Sequence, residues 1–192
     1  KVQNYIFKGN KNLVFEDKSK TWLQDKKDIS GATALGDLDN DGDLDIVVNT
    51  INQEVSLYIN QTNEKASYLK LKFKHPVPNT FGIGTKVFSY YKDELQYKEL
   101  YTVRGFQASS EPIIHFGYGD LKKVDSITVV WPNKTYQTIK NVSLNQTLVI
   151  APENTKPFNY KSLFKKERPI YKKVDDNLGI NFTHSEDNYS DF

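Results

Sequence analysis

The chain has 192 residues, which is enough for one ordinary domain or two small ones. Its formal net charge of +2 gives no global field that would favour nucleic acid or an acidic partner, and the lack of cysteine excludes disulfides and thiolate chemistry. No apolar run of about 18 residues occurs, so the sequence predicts no transmembrane segment. The 12 tyrosines and 11 phenylalanines favour an all-β fold with cross-strand aromatic pairs.

Residues 1–62 have the pattern of one blade of a β-propeller. Short β-prone runs cover residues 4–10, 14–17, 46–48 and 54–59, and Gly, Asn and Asp turns separate them. This spacing is typical of a four-stranded blade, in whose core we expect Trp22. Because one blade cannot bury both of its faces, we expect further blades before residue 1 in a longer parent protein.

Residues 37–45, here called the acidic loop, place a carboxylate at every second position. Neighbouring carboxylates about 5 Å apart repel by about 0.8 kcal/mol even in water. A cation is therefore expected to neutralise the five aspartates of the loop, which are Asp37, Asp39, Asp41, Asp43 and Asp45. Oxygen ligands with no Cys or His nearby suit a hard ion, and Ca²⁺ best.

The order of residues in the acidic loop suggests how a calcium ion would be held. The predicted side-chain ligands are Asp37, Asp39, Asp41 and Asp45, and the predicted backbone-carbonyl ligand is Asp43. Gly42 allows the sharp turn that this arrangement needs. An EF-hand is excluded, because its twelfth position here is Val48 rather than a bidentate Glu. A solvated acidic turn without a metal remains the alternative.

The acidic loop, with Gly36 before it and a β-branched strand after it, resembles the calcium loops of FG-GAP/VCBS repeats. These repeats are the blades of integrin-like β-propellers. The resemblance implies that residues 1–62 are the C-terminal blade of such a propeller, and that calcium has a structural role there.

Residues 66–151 have the pattern of a small antiparallel β-sandwich or barrel. Leu69, Leu71 and Phe73 alternate with lysines, which predicts a half-buried strand whose basic face is solvated and protects a sheet edge. Further strands are predicted at residues 86–91, 96–103, 113–116, 126–131 and 146–150. His115 lies inside one of these strands, so we expect a hydrogen-bonded core histidine rather than a catalytic one.

The same segment resembles the ASPIC/UnbV family. The matching motifs come in the family's order, and they are Asn79 with Gly82-Ile83-Gly84, Arg104-Gly105-Phe106 with Ser109-Ser110, His115-Phe116-Gly117-Tyr118-Gly119, Val124-Asp125, Val130-Trp131-Pro132 and Asn145-Gln146-Thr147. Thr85-Lys86 and Tyr118 depart from the usual residues of the family without affecting the expected fold. The molecular function of this family is poorly defined, so the resemblance implies architecture rather than chemistry.

Residues 152–192 are predicted to be a connector and the start of another domain. Residues 152–172 contain three prolines and six basic residues, which indicates a solvated linker, with contact to a polyanion or to membrane headgroups as the alternative. Residues 173–192 resemble the opening of a second FG-GAP/VCBS propeller in long bacterial surface proteins.

The sequence favours a non-catalytic function. It lacks a zinc-protease helix, a nucleophile elbow and a phosphate loop. We therefore expect a calcium-stabilised binding or adhesion scaffold that recognises a glycan or protein at the cell surface, as an outer-membrane lipoprotein, a secreted factor or an accessory of an outer-membrane complex. The alternatives are part of a polysaccharide-active enzyme whose catalytic residues lie outside this piece, and a purely structural spacer between propellers.

Overall fold

The computed structural model describes residues 2–10, 12–23, 27–61, 66–163, 170–171, 174, 179 and 182–186. The chain divides into two compact units, residues 1–158 and residues 159–192, and the described strands all lie in the first. Among the residues that the structure describes, strand accounts for 45% and helix for 4%, which confirms the predicted all-β fold class. In this described part, no helix is long and apolar enough to cross a membrane.

Residues 2–61, here called the blade region, form short antiparallel strands. Those that the structure describes are β1 (Val2–Gln3), β2 (Phe7–Gly9), β3 (Phe15–Asp17), β4 (Lys27–Asp28), β5 (Ser30–Gly36), β6 (Asp45–Thr50) and β7 (Ser56–Tyr58). Strand β1 pairs with β4, β2 pairs with β3, and β5, β6 and β7 form a three-stranded sheet in that order. A single helical turn, α1 (Ser19–Trp22), follows β3.

The sheet β5-β6-β7 holds the acidic loop. After Asp45, strand β6 continues with a β-branched run that favours extended backbone, and its Val48 is buried. Strand β5 was not predicted, because its small residues conceal the alternation of half-buried and exposed positions. The prediction that Trp22 lies in the blade core is wrong: it is 47% exposed, because α1 is a lone turn outside the sheets.

Residues 66–158, here called the sandwich region, contain the longer strands. They are β8 (Tyr68–Phe73), β9 (Lys86–Tyr91), β10 (Glu94–Glu99), β11 (Ile114–Gly117), β12 (Lys123–Val130), β13 (Thr135–Ser143), β14 (Gln146–Ile150) and β15 (Lys156–Pro157). One sheet has the order β10-β9-β12-β13-β15, and the other has the order β11-β8-β14. Neighbouring strands are antiparallel except β8 and β14, which pair in parallel.

One hydrophobic core joins the two sheets of the sandwich region. It contains side chains from both, including Leu69 and Leu71 of β8 and Ile127 of β12, all fully buried. Trp131 is also fully buried and packs edge-on against Phe73, with 5.6 Å between the ring centroids. The alternation predicted for β8 is therefore confirmed, and it supplies one wall of this core.

Strand β8 occupies a different place from the one predicted for it. The lysines that alternate with its apolar residues were expected to protect a sheet edge, but β8 is the central strand of its sheet. The long strand β13 was not predicted, because its sequence is mostly polar and its pattern of burial is irregular. Pairing with β12 over nearly its whole length makes it a strand despite that composition.

The C-terminal residues are described only in part. Lys156–Pro157, inside the predicted linker 152–172, pair with β13, and a 3₁₀ turn at Tyr160–Leu163 follows. Most of the predicted second propeller, residues 173–192, lies outside the described residues. The domain boundaries at 1–62, 66–151, 152–172 and 173–192 remain predictions.

Candidate metal centre

The acidic loop connects β5 to β6, and the pair Gly36 and Asp45 closes it at the ends of the two strands. The loop curls tightly, since Asn40 and Gly42 have φ angles of +64° and +101°. Left-handed backbone of this kind suits Asn and above all Gly, which have little or no side-chain penalty there. The curl turns alternate side chains of the loop toward one another.

Three of the five predicted ligands converge. One carboxylate oxygen from each of Asp37, Asp39 and Asp45 lies within 4.8 Å of the other two. Asp45 is buried and Asp39 is exposed, while Asp37 is half-buried as a whole residue although its side chain is only 1% exposed. The group therefore reaches from the interior of the protein to solvent. The predicted side-chain ligand Asp41 and the predicted backbone ligand Asp43 are not part of this group of carboxylates.

Asp45 connects the start of the acidic loop to the segment that follows β7. Its Oδ2 accepts a hydrogen bond of 2.8 Å from the backbone N–H of Leu38, and its Oδ1 accepts one of 2.8 Å from the backbone N–H of Asn60. Asp45 is only 1% exposed. Because each carboxylate oxygen has two acceptor positions, these bonds leave room for a further ligand.

Asp37 has one satisfied oxygen and one orphaned oxygen. Its Oδ2 accepts hydrogen bonds from the backbone N–H of Gly42, at 3.0 Å, and from the ammonium group of Lys70. Its Oδ1 is buried and has no hydrogen-bond partner among the described residues, and the same is true of Oδ1 of Asp43. Buried acceptors without a donor are costly. An oxygen-only set with orphaned acceptors therefore fits a hard cation.

The electrostatics of the acidic loop also favour a cation. The pKa of Asp43 is raised to about 6, chiefly by burial and then by the negative charges of its neighbours, which are in decreasing order Asp41, Asp45, Asp39 and Asp37. A carboxylate resists ionisation in this way when neighbouring carboxylates repel its charge. A divalent ion would remove that repulsion.

The second wall of the site comes from the sandwich region. The ring of Tyr68 covers Gly42 so closely that a Cβ atom there would lie 2.0 Å from its Cε1. Lys70, two residues further along β8, forms an ion pair with Asp37. Nε2 of His115, in β11, lies 2.6 Å from the carbonyl oxygen of Gly42. The rings of Tyr68 and His115 stack, with 6.1 Å between their centroids.

His115 is a donor in this contact. A carbonyl oxygen can only accept, so Nε2 must carry the proton. Burial lowers the pKa of His115, and the nearby charges of Lys98 and Lys70 lower it further against the opposing effects of the Gly42 carbonyl and Asp37. The imidazole is therefore neutral at neutral pH. The expected core histidine is half-buried and binds the acidic loop instead.

A further contact joins the two regions beside the acidic loop. The backbone N–H of Leu35 in β5 donates a hydrogen bond of 3.1 Å to Oγ of Ser110. None of these cross-region contacts was predicted from the sequence. Lys70 and His115 lie 33 and 73 residues from their partners in the loop, so no local pattern relates them.

Two protein families match the chain. A family described as FG-GAP-like repeat matches residues 2–48, which include the whole acidic loop. A family described as ASPIC and UnbV matches residues 76–157, within the sandwich region. No curated protein sequence matched the chain. FG-GAP repeats commonly bind calcium and are typical of extracellular or surface proteins, and neither family is a known catalytic domain.

Proposed function

Because this chain is an FG-GAP repeat protein with an ASPIC/UnbV domain, we propose that it is a non-catalytic, calcium-stabilised scaffold of the cell surface or extracellular space. The observation that carries the proposal is the convergence of Asp37, Asp39 and Asp45 within 4.8 Å. The orphaned and buried Oδ1 of Asp37 supports it independently.

Calcium is the ion that this donor set favours. The set contains only carboxylate and carbonyl oxygens on a curled loop, and Ca²⁺ accepts six to eight such oxygens in flexible geometries. Asp37, Asp39 and Asp45 would hold the ion through their side chains, with Asp41 and Asp43 as the remaining predicted ligands. The ion would neutralise the carboxylates and tie β5 to β6.

The scaffold role follows from what the site can do. Its carboxylates would be occupied by the metal and by backbone amides, which leaves them unsuited to acid–base chemistry. Extracellular calcium modules bind with Kd of about 10⁻⁴–10⁻³ M, so the site would be filled only in a calcium-rich compartment. We propose that the stabilised β surfaces recognise a protein or glycan partner, as part of a surface or outer-membrane assembly.

The test is a calorimetric calcium titration of the whole chain, with thermal melts in calcium and in chelator. At free calcium ten times Kd, the expected stabilisation is about 1.4 kcal/mol, which corresponds to a rise in Tm of about 3–5 °C. Asp39→Asn should weaken binding about tenfold or more, because it removes one ligand charge from an exposed position. Asp93→Asn, at an exposed position in the turn between β9 and β10, is the matched control.

The outcomes distinguish a calcium-stabilised scaffold from a solvated acidic turn. Saturable binding that raises Tm, and that Asp39→Asn but not Asp93→Asn weakens, would support the calcium-stabilised scaffold. A folded chain with the same Tm in millimolar calcium and in chelator would contradict it, and the acidic loop would then be a solvated turn.

A further inference from the structure

We propose that Lys70 is a built-in counter-cation of the acidic loop, which keeps the loop folded without calcium and keeps its calcium affinity weak. The inference rests on the proposed calcium site and adds a residue that neither family match covers. Lys70 lies between the matched segments, which end at residue 48 and begin again at residue 76.

The ion pair between Lys70 and Asp37 is unlike an ordinary surface pair. The Lys70 side chain is 12% exposed and that of Asp37 is 1% exposed. Charges that water does not screen interact strongly, whereas exposed pairs contribute little. Water therefore screens the ammonium group less than it would screen an exposed lysine.

The position of Lys70 is fixed by the fold. It lies on β8, which pairs on both sides with β11 and β14. Its Nζ also lies 5.4 Å from the centroid of the Tyr68 ring, and that ring covers Gly42. The loop in turn is held against β8 by the His115 hydrogen bond to the Gly42 carbonyl. The lysine and the loop therefore cannot separate without breaking these contacts.

Asp37 divides its two oxygens between two roles. Its Oδ2 faces Lys70 and the Gly42 amide, while its Oδ1 is buried and accepts no hydrogen bond from any residue that the structure describes. A metal ligated through Oδ1 would not have to displace the lysine. Lys70 would then remain beside the bound ion, and the like charges would repel. The same lysine therefore offsets carboxylate repulsion when calcium is absent and opposes calcium when it binds.

The test measures calcium Kd and the Tm in chelator for Lys70→Gln, which removes the charge but can still donate a hydrogen bond to Asp37. Removing a unit charge several ångströms from a divalent ion should tighten Kd about tenfold, even with the dielectric constant of water. The Tm in chelator should fall, because the carboxylates lose their counter-charge.

Two further variants isolate the cause. Lys72→Gln removes the same charge from an exposed position on the same face of β8, and its Kd should change less than about twofold because water screens it. Lys70→Arg keeps the charge and should keep the wild-type Kd. Circular dichroism in chelator establishes that each variant is folded before titration.

The outcomes distinguish this inference from the proposed function. Wild-type binding with unchanged or weaker Kd in Lys70→Gln would overturn the counter-cation role while leaving the calcium site intact. A wild-type chain that binds no calcium would overturn both. If Lys70→Gln did not fold in chelator, Lys70→Arg would still decide the matter, since a tenfold change in its Kd would show that charge is not the determinant.

Discussion

Replacing Gly42 by alanine would test how tightly the sandwich region presses on the acidic loop. The new Cβ would lie 2.0, 2.2 and 2.7 Å from three carbons of the Tyr68 ring, where ordinary carbon contacts are about 3.5–4.0 Å. Gly42 also has a φ of +101°, which side-chain-bearing residues rarely adopt. The substitution therefore carries a steric cost and a backbone cost.

The two costs can be estimated separately. Backbone strain at a sparsely populated φ contributes about 1–3 kcal/mol, and overpacking against Tyr68 contributes about 1–3 kcal/mol more. We expect Gly42→Ala to lower the free energy of unfolding by about 2–6 kcal/mol. In a Tyr68→Ala background only the backbone cost remains, so the two substitutions should couple by about 1–3 kcal/mol.

The assay is equilibrium urea unfolding of the four chains of this double-mutant cycle, all in chelator. Gly84→Ala is the control for backbone strain, because Gly84 has a φ of +88° and a Cβ there would meet nothing within 4 Å. Equal losses for Gly42→Ala and Gly84→Ala, together with additivity within about 0.5 kcal/mol, would refute the close approach of Tyr68 to the loop.

Three other predictions concern stability. Asp45→Ala should cost about 2–4 kcal/mol even in chelator, because two backbone amides lose their acceptor, whereas Asp39→Ala should cost less than about 1 kcal/mol there. Burial raises the pKa of Tyr118 to about 12, so its phenol remains protonated when the unfolded chain ionises. The protonated phenol therefore contributes to the free energy of unfolding less and less as the pH rises: its contribution is complete below about pH 10 and is lost by about pH 12. The loss amounts to about 2–3 kcal/mol, and Tyr118→Phe should not show it. Trp131→Ala should cost about 3–5 kcal/mol, and Trp131→Phe clearly less.

Urea unfolding measures all three, and each has a contrary result. Equal losses in chelator for Asp45→Ala and Asp39→Ala would mean that the Asp45 hydrogen bonds do not hold the loop ends. Parallel stability curves of wild type and Tyr118→Phe between pH 9 and pH 12 would contradict the protonated, buried phenol. A loss below about 1 kcal/mol in Trp131→Ala would place Trp131 outside the shared core.

The sequence predicts features whose signal is local. Alternation at Leu69, Leu71 and Phe73 identifies a buried strand face, and it does so because side chains of a strand alternate between its two faces. The acidic loop is equally local, since its charges, its glycine and its following strand are contiguous. Its position directly before a strand could therefore be foreseen.

Features that depend on partners distant in sequence could not be foreseen. The lysines of β8 have the pattern of a solvated edge, and only the pairing with β11 and β14 makes the strand central. That place in the sheet brings Lys70 to Asp37, and no spacing rule relates the two. Strand β5 was missed for a similar reason, since pairing with β6 rather than its own residues makes it a strand.

The parallel pairing of β8 with β14 has a consequence for folding during synthesis of the chain. Leu69 of β8 pairs with Gln146 of β14, so 77 further residues must be synthesised before the second neighbour of β8 exists. At translation rates of about 5–20 residues per second, that interval lasts about 4–15 seconds. During it the nascent acidic loop has already been synthesised while the strand that carries Lys70 is still incompletely paired. If the loop binds calcium as proposed, the ion would be an alternative counter-charge during this interval, and its concentration would influence which part of the chain is ordered first.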